Sequence, residues 1–232
     1  MTMTNAERPF LPAAGRDWFL PLYDPLTKLL GVDTARLTLL DQAGLQPQYR
    51  VLDVGCGTGS LAVLIKRLYP TVTVIGVDPD PNALACAERK AKRAAVSIRF
   101  NQGFADTLGY PDATFDRVFS SMMLHHVEEG EKTITLREIR RVLRPGGRLE
   151  LMDFSSPDSH GHSPLGRFIH SHRRLKDNVE RRILDLMVAA GFVEPEKLGE
   201  RALIVGRVGC FQATAPAPIQ MCGRRRREVS KT

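Results

Sequence analysis

The chain has 232 residues, of which 43% are hydrophobic, and a formal net charge of +7. This size predicts one sizeable α/β core with extra segments. The four cysteines are scattered without C-x-x-C spacing, which argues against a disulfide framework or a zinc site and indicates a reducing, cytoplasmic location. No apolar run approaches the ~20 residues of a membrane span, and no signal pattern opens the chain, so no membrane span is expected.

The first 48 residues precede the first predicted strand. Within them, residues 17–31 are apolar, aromatic and interrupted by prolines, which predicts short turns followed by a helix. A second helix is predicted after Asp33, a good N-cap, with Leu37 and Leu40 on one face. Because both pieces come before the sheet, we expect them to cover its ligand-binding edge as a helical lid.

A glycine-rich turn follows the first predicted strand. Gly55, Gly57 and Gly59 follow Asp53 in the pattern Asp-x-Gly-x-Gly-x-Gly, between an apolar run and the start of a helix. Glycine permits positive φ and close approach of the backbone to a ligand, which the helix N-terminus then faces. A dinucleotide fingerprint would need its third glycine where Ser60 stands, and a carboxylate at this position suits an ammonium group better than a pyrophosphate.

On this motif the sequence resembles the class I S-adenosylmethionine-dependent methyltransferases, and among them the small-molecule enzymes of the ubiquinone and menaquinone biosynthesis type. The resemblance implies that S-adenosyl-L-methionine is the cofactor. It also implies that Asp53 meets the methionine end of this cofactor, directly or through water. In the resembling families an N-terminal lid carries a Tyr-Asp pair, here Tyr23 and Asp24; the alternative is that Tyr23 is only a packing aromatic.

The second predicted strand, residues 71–77, ends at Asp78. In a doubly wound sheet, ligands lie beyond the carboxyl ends of the strands, and an acid there can accept both hydroxyls of a ribose. Asp78 stands 25 residues after Asp53, near the ~20-residue offset of a glycine turn and its ribose acid, so we predict that it binds the ribose. Asp80 is interpreted as the N-cap of the next helix, with Lys90 on the solvated face of that helix.

The loop after the third predicted strand, residues 96–100, departs from the pattern of the resembling families. These families commonly place an acid, which accepts the adenine amino group, where Phe104 stands, and here the acid appears two residues later as Asp106. Two alternatives remain open: Phe104 stacks on the adenine while Asp106 binds its amino group, or that hydrogen bond is absent. The predicted adenine contacts are Phe104, Ala105 and Asp106.

The fourth predicted strand, residues 115–124, runs into His125 and His126 in a Leu-His-His run similar to that of many small-molecule methyltransferases. Adjacent residues of an extended chain point to opposite sides, so at most one histidine faces a ligand. We predict that His126 faces the substrate as a base, with Tyr23 approaching from the lid, and that His125 is structural. The alternative is that His126 is also a packing residue.

A predicted helix ends in a Leu-x-Pro-Gly-Gly turn before a fifth strand, residues 148–154. This turn is similar to the post-helix turn of the same families, so the matching pieces extend over residues 49–154. Beyond them the sequence predicts a helix closed by Gly191 and two last strands, at residues 194–204 and 207–214.

The predicted fold class is α/β: a Rossmann-like, doubly wound, mostly parallel seven-stranded sheet with an antiparallel last strand and an N-terminal helical lid. Alternating strands and helices support the α/β class directly, whereas the strand count and the reversed strand are implied by the resemblance. The predicted segments are a lid at 1–48, a cofactor-binding methyltransferase domain at 49–214 and a disordered basic tail at 215–232.

Two H-x-H pairs, at residues 160–162 and 170–172, raise the question of a metal. No cysteine or clear carboxylate partner stands at ligand spacing, and methyl transfer from a sulfonium needs no metal. We therefore predict no metal site and interpret residues 155–172 as a solvated or substrate-covering loop.

The predicted function is transfer of a methyl group from S-adenosyl-L-methionine to a small-molecule acceptor by positioning, exclusion of water and, where needed, removal of a proton. Three alternatives stay open: an RNA methyltransferase, suggested by the basic tail; a nicotinamide-dependent oxidoreductase; and a catalytically silent cofactor-binding scaffold. RNA is disfavoured because residues 120–123 do not read Asn-Pro-Pro-Tyr. Carbon, oxygen and nitrogen acceptors all remain open, as does the oligomeric state.

Overall fold

The computed structural model describes residues 31–155, 180–203 and 206–217. Tyr23, both H-x-H pairs and the arginine run of the tail lie outside these ranges. The helices and strands, in chain order, are α1 (Val32–Gln42), β1 (Arg50–Val54), α2 (Ser60–Leu68), β2 (Thr73–Asp78), α3 (Pro81–Arg93), β3 (Arg99–Gln102), β4 (Phe115–Ser121), α4 (Glu129–Val142), β5 (Leu143–Phe154), α5 (Glu180–Ala189), β6 (Val193–Leu203) and β7 (Gly206–Thr214). A 3-10 turn, Leu124–His126, lies between β4 and α4.

The seven strands form one sheet in the order β3-β2-β1-β4-β5-β7-β6. Strands β1 to β5 pair in parallel, whereas β7 is antiparallel to both of its neighbours, β5 and β6. This confirms the predicted doubly wound, mostly parallel sheet with a reversed last strand. Strand order reverses between β1 and β4, which is where such sheets open a crevice at their carboxyl ends.

The Leu-x-Pro-Gly-Gly segment is part of β5 rather than a turn before it. Leu143 pairs with Phe115 of β4, and the register then shifts so that Arg148 pairs with Arg117. Gly146 has a φ of +76° within this irregularity, a conformation that favours glycine. The predicted turn is therefore a bulge, and the sheet continues through it.

Buried apolar side chains cover both faces of the sheet. The face covered by α4 and α5 includes Leu52 and Val54 of β1, and the face covered by α1 and α2 includes Val51. Alternate residues of a strand point to opposite faces, so Asp53 lies on the same face as Val51, towards α1 and α2. Helices on both faces are the arrangement that a parallel sheet requires.

Helix α1 begins earlier than predicted. Its N-cap is Gly31, with a φ of +84°, and Asp33 lies in the first turn instead. The shift changes which side chains are buried: Leu40 is 1% exposed, as predicted, but Leu37 is 47% exposed. The prediction for Leu37 was wrong because Val32, with Leu39 and Leu40, sets the apolar stripe that packs on the sheet.

The C-terminal end of α1 is attached to the start of the parallel strands. The carbonyl oxygen of Ala43 accepts hydrogen bonds from Nε of Arg117 and Nη2 of Arg148, at 2.9 and 2.6 Å. Arg148 lies 3.2 Å from the fully buried carboxylate of Glu150, and Arg117 lies 3.8 Å from it. Burial raises the pKa of Glu150 to about 7, although the two arginines oppose the shift.

The other end of α1 lies at the carboxyl edge of the sheet. A Cβ atom on Gly31 would lie 3.6 Å from Leu203, the last residue of β6, which runs in the same direction as β5. Helix α1 therefore runs from the carboxyl edge to the amino edge of the sheet. No helix of the described ranges is long and apolar enough to cross a membrane.

Candidate functional site

Four parallel strands end together at the carboxyl edge, and each brings a polar group there. Strand β1 ends beside Asp53, β2 ends in Asp78, β4 leads into the turn that carries His125, and β5 places Asp153 next to its last residue. The first two of these residues were predicted to share a site, and the sheet order places β1 directly beside β2. Asp153 was not predicted.

The glycine turn after β1 has the conformation that its sequence requires. Gly55, Gly57 and Gly59 have φ values of +69°, +50° and +75°, so all three need the positive φ predicted for at least one. The backbone N–H of Gly55 donates to Val77 of β2 at 2.8 Å, which ties the turn to the neighbouring strand. A Cβ atom on Gly55 would lie 2.2 Å from Cγ of Met123, so a side chain cannot be accommodated there without displacement.

Asp53 is a buried carboxylate whose oxygens form no well-aligned hydrogen bond with the described residues, although the nearby backbone N–H of Ala62 lowers its pKa slightly. Its exposure is 1%. Burial raises the pKa of Asp53 from 3.8 to about 7; the charge of Arg36 opposes this shift and that of Asp78 adds to it. A buried carboxylate in this state favours a cationic ligand, because an ammonium group would supply both the charge and the donors that are missing.

Asp78 links the glycine turn to the end of β2. Its Oδ2 accepts a hydrogen bond from the backbone of Gly57 at 2.7 Å, and its Oδ1 accepts one from the backbone of Asp80 at 3.0 Å. Burial raises the pKa of Asp78 to about 6, although these two hydrogen bonds oppose the shift. Each carboxylate oxygen has a second acceptor position, so the side chain can still receive hydroxyl groups.

Asp80 is the N-cap of α3, as interpreted from the sequence. Its Oδ1 accepts from the backbone of Asn82 at 2.8 Å. The interpretation of Lys90 as a solvated side chain was wrong. Its Nζ donates to the hydroxyls of Ser60 and Thr58, at 2.6 and 3.0 Å, and so fastens α3 to the glycine turn. The run of charged residues around Lys90 concealed this contact, although the two hydroxyls in the turn were available as acceptors.

The loop after β3 lies next to Asp78. The backbone N–H of Gly103 donates to the carbonyl oxygen of Asp78 at 3.1 Å. The residues that follow, Phe104, Ala105 and Asp106, are half-buried, and Asp106 accepts a hydrogen bond from the Thr107 hydroxyl at 3.1 Å. The loop thus begins beside Asp78, the predicted ribose-binding acid, and the predicted adenine contacts are the residues that come next in it.

The two histidines follow a turn rather than an extended chain. The N–H of His126 donates to the Met123 carbonyl at 2.9 Å, closing the 3-10 turn, and the two imidazole rings lie 4.0 Å apart. The prediction that they point to opposite sides was therefore wrong. His125 is 8% exposed; its Nδ1 lies 2.7 Å from Oδ1 of Asp153, and its backbone N–H donates to Oδ2 at 3.1 Å.

The strand order and the glycine turn after β1 define the class of doubly wound nucleotide-binding folds. Residues 51–147 match a family model described as a methyltransferase domain. This match confirms the predicted resemblance to methyltransferases over these residues.

Two relatives show what the chain is similar to. It is 41% identical over 142 residues to a demethylmenaquinone methyltransferase of Deinococcus radiodurans, an alignment that covers 60% of this chain and 58% of the relative. It is 35% identical over 144 residues to a ubiquinone/menaquinone biosynthesis C-methyltransferase of Syntrophotalea carbinolica, covering 61% and 60%. The chain thus aligns with about three fifths of the length of each relative.

Solved structures show the same fold. The crystal structure of the YcgJ protein of Bacillus subtilis matches with a TM-score of 0.65 at 20% identity, over 80% of this chain and 100% of that one. A phosphoethanolamine N-methyltransferase of Haemonchus contortus, in complex with phosphomonomethylethanolamine and S-adenosylhomocysteine, matches with a TM-score of 0.72 at 18% identity, over 88% and 58%. At these identities the likeness concerns the fold alone.

Proposed function

We propose that this protein transfers a methyl group from S-adenosyl-L-methionine to a small-molecule acceptor. The observation that carries the proposal is the buried carboxylate of Asp53, which lies at the carboxyl edge beside Asp78 and forms no well-aligned hydrogen bond with the described residues. The sulfonium of the cofactor supplies an activated methyl group when it is bound. The names of the relatives favour a ring carbon of a quinone-type acceptor.

In this proposal, different residues of the site bind different parts of the cofactor. Asp53 binds the ammonium of the methionine end, and Asp78 accepts the ribose hydroxyls with its remaining acceptor positions. Gly55, Gly57 and Gly59 let the backbone pass close to the ligand. Phe104, Ala105 and Asp106 contact the adenine, since their loop begins at Asp78. The chain holds the sulfonium carbon in line with the acceptor and excludes water, which is the main task when the donor is already activated.

His126 and Tyr23 are the proposed residues on the acceptor side. His126 lies in the turn after β4, at the same edge as the glycine turn, and an imidazole that titrates near neutrality can take the proton of an acceptor. His125 is already engaged with Asp153, so we assign it a structural role. Tyr23 belongs to the proposed lid, residues 17–31.

The path of α1 supports the lid. Arg117 and Arg148 fix the C-terminal end of α1 at the amino edge of the sheet, and Gly31 lies at the carboxyl edge. The N-terminal end of α1 therefore lies beside the site, which supports a lid in the segment that precedes this helix in the chain. We propose the division into lid (1–48), methyltransferase domain (49–214) and basic tail (215–232) on this basis. The free thiols of Cys56, Cys86 and Cys210 support a cytoplasmic location.

Calorimetry with S-adenosylhomocysteine tests the proposal. The wild-type chain should bind this ligand, and Asp78→Ala should weaken the binding by tenfold or more. Asp112→Ala is the control and should leave the affinity unchanged, because the Asp112 side chain is 78% exposed and pairs with Arg141. Absence of binding by the wild type, or unchanged binding by Asp78→Ala, would contradict the proposal. Binding of reduced nicotinamide dinucleotide instead would favour the oxidoreductase.

A methylation screen separates an enzyme from a silent scaffold. Labelled S-adenosyl-L-methionine is incubated with the protein and either a metabolite extract, a demethylated quinone or RNA, and the products are identified by mass. We expect label in a small molecule and acceptor-dependent release of S-adenosylhomocysteine. Label in RNA, or cofactor binding without any acceptor-dependent release, would contradict the proposed activity.

A further inference from the structure

The connection between β3 and β4 is an irregular loop, which we call the crossover loop. It comprises residues 103–114, all within the described part of the chain, and contains no helix and no strand. A connection between parallel strands usually contains an α-helix that packs on the sheet, so this loop needs another means of being held in place. Its first part contains Phe104, Ala105 and Asp106, the proposed adenine contacts.

Two residues of α4, Glu138 and Arg141, hold the middle of the crossover loop. They form an ion pair in which Nε of Arg141 donates to Oε1 of Glu138 and Nη2 donates to Oε2, both at 2.8 Å. Both backbone polar groups of Leu108 bind this pair. Its N–H donates to Oε2 of Glu138 at 3.1 Å, and its carbonyl oxygen accepts from Nη2 of Arg141 at 2.9 Å. The hydrogen bonds from Arg141 hold the pKa of Glu138 below its usual range, so the pair stays ionised at neutral pH.

Every donor of the Arg141 guanidinium is in use. A guanidinium has five N–H groups in a rigid planar fork, and three of them bind Glu138 and Leu108. The two on Nη1 donate to the carbonyl oxygen of Tyr110 at 2.8 Å and to Oδ1 of Asp112 at 2.7 Å. The Asp112 side chain is 78% exposed, so water can replace it, whereas the two backbone contacts are partly buried.

The side chain of Tyr110 holds the crossover loop from the other side. Its hydroxyl accepts from Nδ2 of Asn101 on β3 at 2.7 Å, and its ring meets that of Phe115 edge to face, with 5.1 Å between the centroids. The end of the loop is bound to α4 as well, since the N–H of Ala113 donates to the carbonyl oxygen of Arg141 at 3.0 Å. The loop is therefore fixed by directional contacts to β3 and α4, in place of a packed helix.

We propose that Arg141, oriented by Glu138, is a positioning residue for cofactor binding: it holds the crossover loop where its first residues meet the adenine. This inference rests on the proposed function. Arg141 acts through Leu108 and Tyr110, while the start of the loop is attached to Asp78 by the hydrogen bond of residue 103. The loop is thus ordered before the ligand arrives. Without Arg141 the loop would be ordered only on binding, which would weaken the affinity for the adenine part of the ligand.

Amide hydrogen exchange of the protein without ligand tests whether Arg141 orders the loop. In Arg141→Met, residues 104–112 should exchange about tenfold faster or more than in the wild type, because local opening becomes easier. The glycine turn, residues 55–59, should exchange as before. Unchanged exchange of the loop in the variant would overturn the inference.

A pair of ligands tests whether this order serves the adenine. S-ribosylhomocysteine keeps the ribose and the amino-acid end of S-adenosylhomocysteine but has no base. In calorimetry, Arg141→Met should bind S-adenosylhomocysteine roughly 10- to 100-fold more weakly than the wild type does, and S-ribosylhomocysteine within about twofold of the wild type. Equal losses for both ligands would show that Arg141 acts through the fold alone, and would overturn the inference. If the wild type did not bind S-adenosylhomocysteine, the proposed function itself would fail.

Two further variants complete the test. Arg141→Lys should lie between the wild type and Arg141→Met, because lysine keeps the charge but has only three donors at a single point. Arg137→Met is the matched control on the same helix, since Arg137 is exposed and contacts Ala189 of α5 instead of the crossover loop. This control should change neither the exchange of the loop nor the ratio of the two affinities. Thermal unfolding of each variant shows that it is folded.

Discussion

Replacing Asp53 with asparagine should stabilise the protein without ligand while weakening its binding of the cofactor. Burial holds the pKa of Asp53 at about 7 in the folded chain, against 3.8 for an ordinary carboxyl. The folded state therefore keeps a proton that the unfolded state has released. The contribution of Asp53 to the free energy of unfolding is intact below about pH 4 and is lost as the pH rises towards 7.

The size of this loss follows from the two pKa values. Each pH unit in that interval costs about 1.4 kcal/mol, so the loss amounts to about 3 kcal/mol between pH 5 and pH 7 and about 4 kcal/mol in all. In a protein of this size, about 3 kcal/mol corresponds to roughly 6–12 °C in the unfolding temperature. The amide of asparagine does not titrate, so the variant escapes the loss, whatever constant cost its own burial carries.

The assay compares thermal unfolding of the wild type and Asp53→Asn from pH 5 to pH 8, without ligand. The difference in unfolding temperature, variant minus wild type, should increase by roughly 6–12 °C over this range. Taking the difference removes the other titrating groups, including Asp78, whose raised pKa of about 6 acts in the same interval. In calorimetry at pH 7.5, the variant should bind S-adenosylhomocysteine roughly 10- to 100-fold more weakly than the wild type does, because the ammonium of the ligand loses a charged partner.

Two results would refute this reasoning. A temperature difference that does not change with pH would mean that Asp53 is ionised in the folded state throughout the range. Unchanged affinity for S-adenosylhomocysteine would mean that the buried carboxylate does not meet the ammonium.

Gly55→Ala should lower the free energy of unfolding by about 2–5 kcal/mol, because alanine is strained at the positive φ of this position and its Cβ atom would collide with Met123. In thermal unfolding, the double variant Gly55→Ala, Met123→Ala should recover only the part of this loss that the collision causes. Full recovery would contradict the strain assigned to φ. His126→Ala should reduce turnover on the order of a hundredfold or more with little change in cofactor affinity. His125→Ala should mainly lower the unfolding temperature, because it removes a buried hydrogen bond to a carboxylate worth about 1–3 kcal/mol. Equal, small effects of the two histidine changes on turnover would leave His126 as a packing residue. Truncation before Leu26 should weaken both cofactor retention and turnover, measured by calorimetry and methyl transfer, and full activity of the shortened chain would exclude the lid.

The parts of the fold that the sequence predicted well are those with strong local signals. The glycine turn could be predicted because three glycines in alternate positions, after an apolar run that contains an acid, suit few other structures. Strand β3 was less accurate: it covers Arg99–Gln102 rather than 96–100. It lies at the edge of the sheet, pairs with β2 only, and its half-exposed residues give little apolar alternation.

The parts that the sequence did not predict depend on contacts between distant residues. The 3-10 turn at His125 is held by Asp153, which is 28 residues away in the chain, so no local pattern reveals it. Lys90 meets Ser60 only because α3 packs beside the glycine turn. Arg36 did leave a trace, since it follows Val32 by four residues and occupies a position on the buried stripe of α1. A charged residue at such a position indicates a buried partner or a ligand.

Met123 connects the two halves of the site. Its side chain fills the space where Gly55 would carry a Cβ atom, and Met122 beside it has a φ of +59°, which is uncommon outside glycine. The turn that carries His126 follows directly. An acceptor that displaced this turn would therefore change the affinity of the glycine turn for the cofactor. Thermodynamic reciprocity then requires that the bound cofactor change the affinity for the acceptor by the same factor. If the proposed function holds, redesign of the acceptor side at Met123 would consequently alter the affinity for the methyl donor, so the two specificities would have to be selected together.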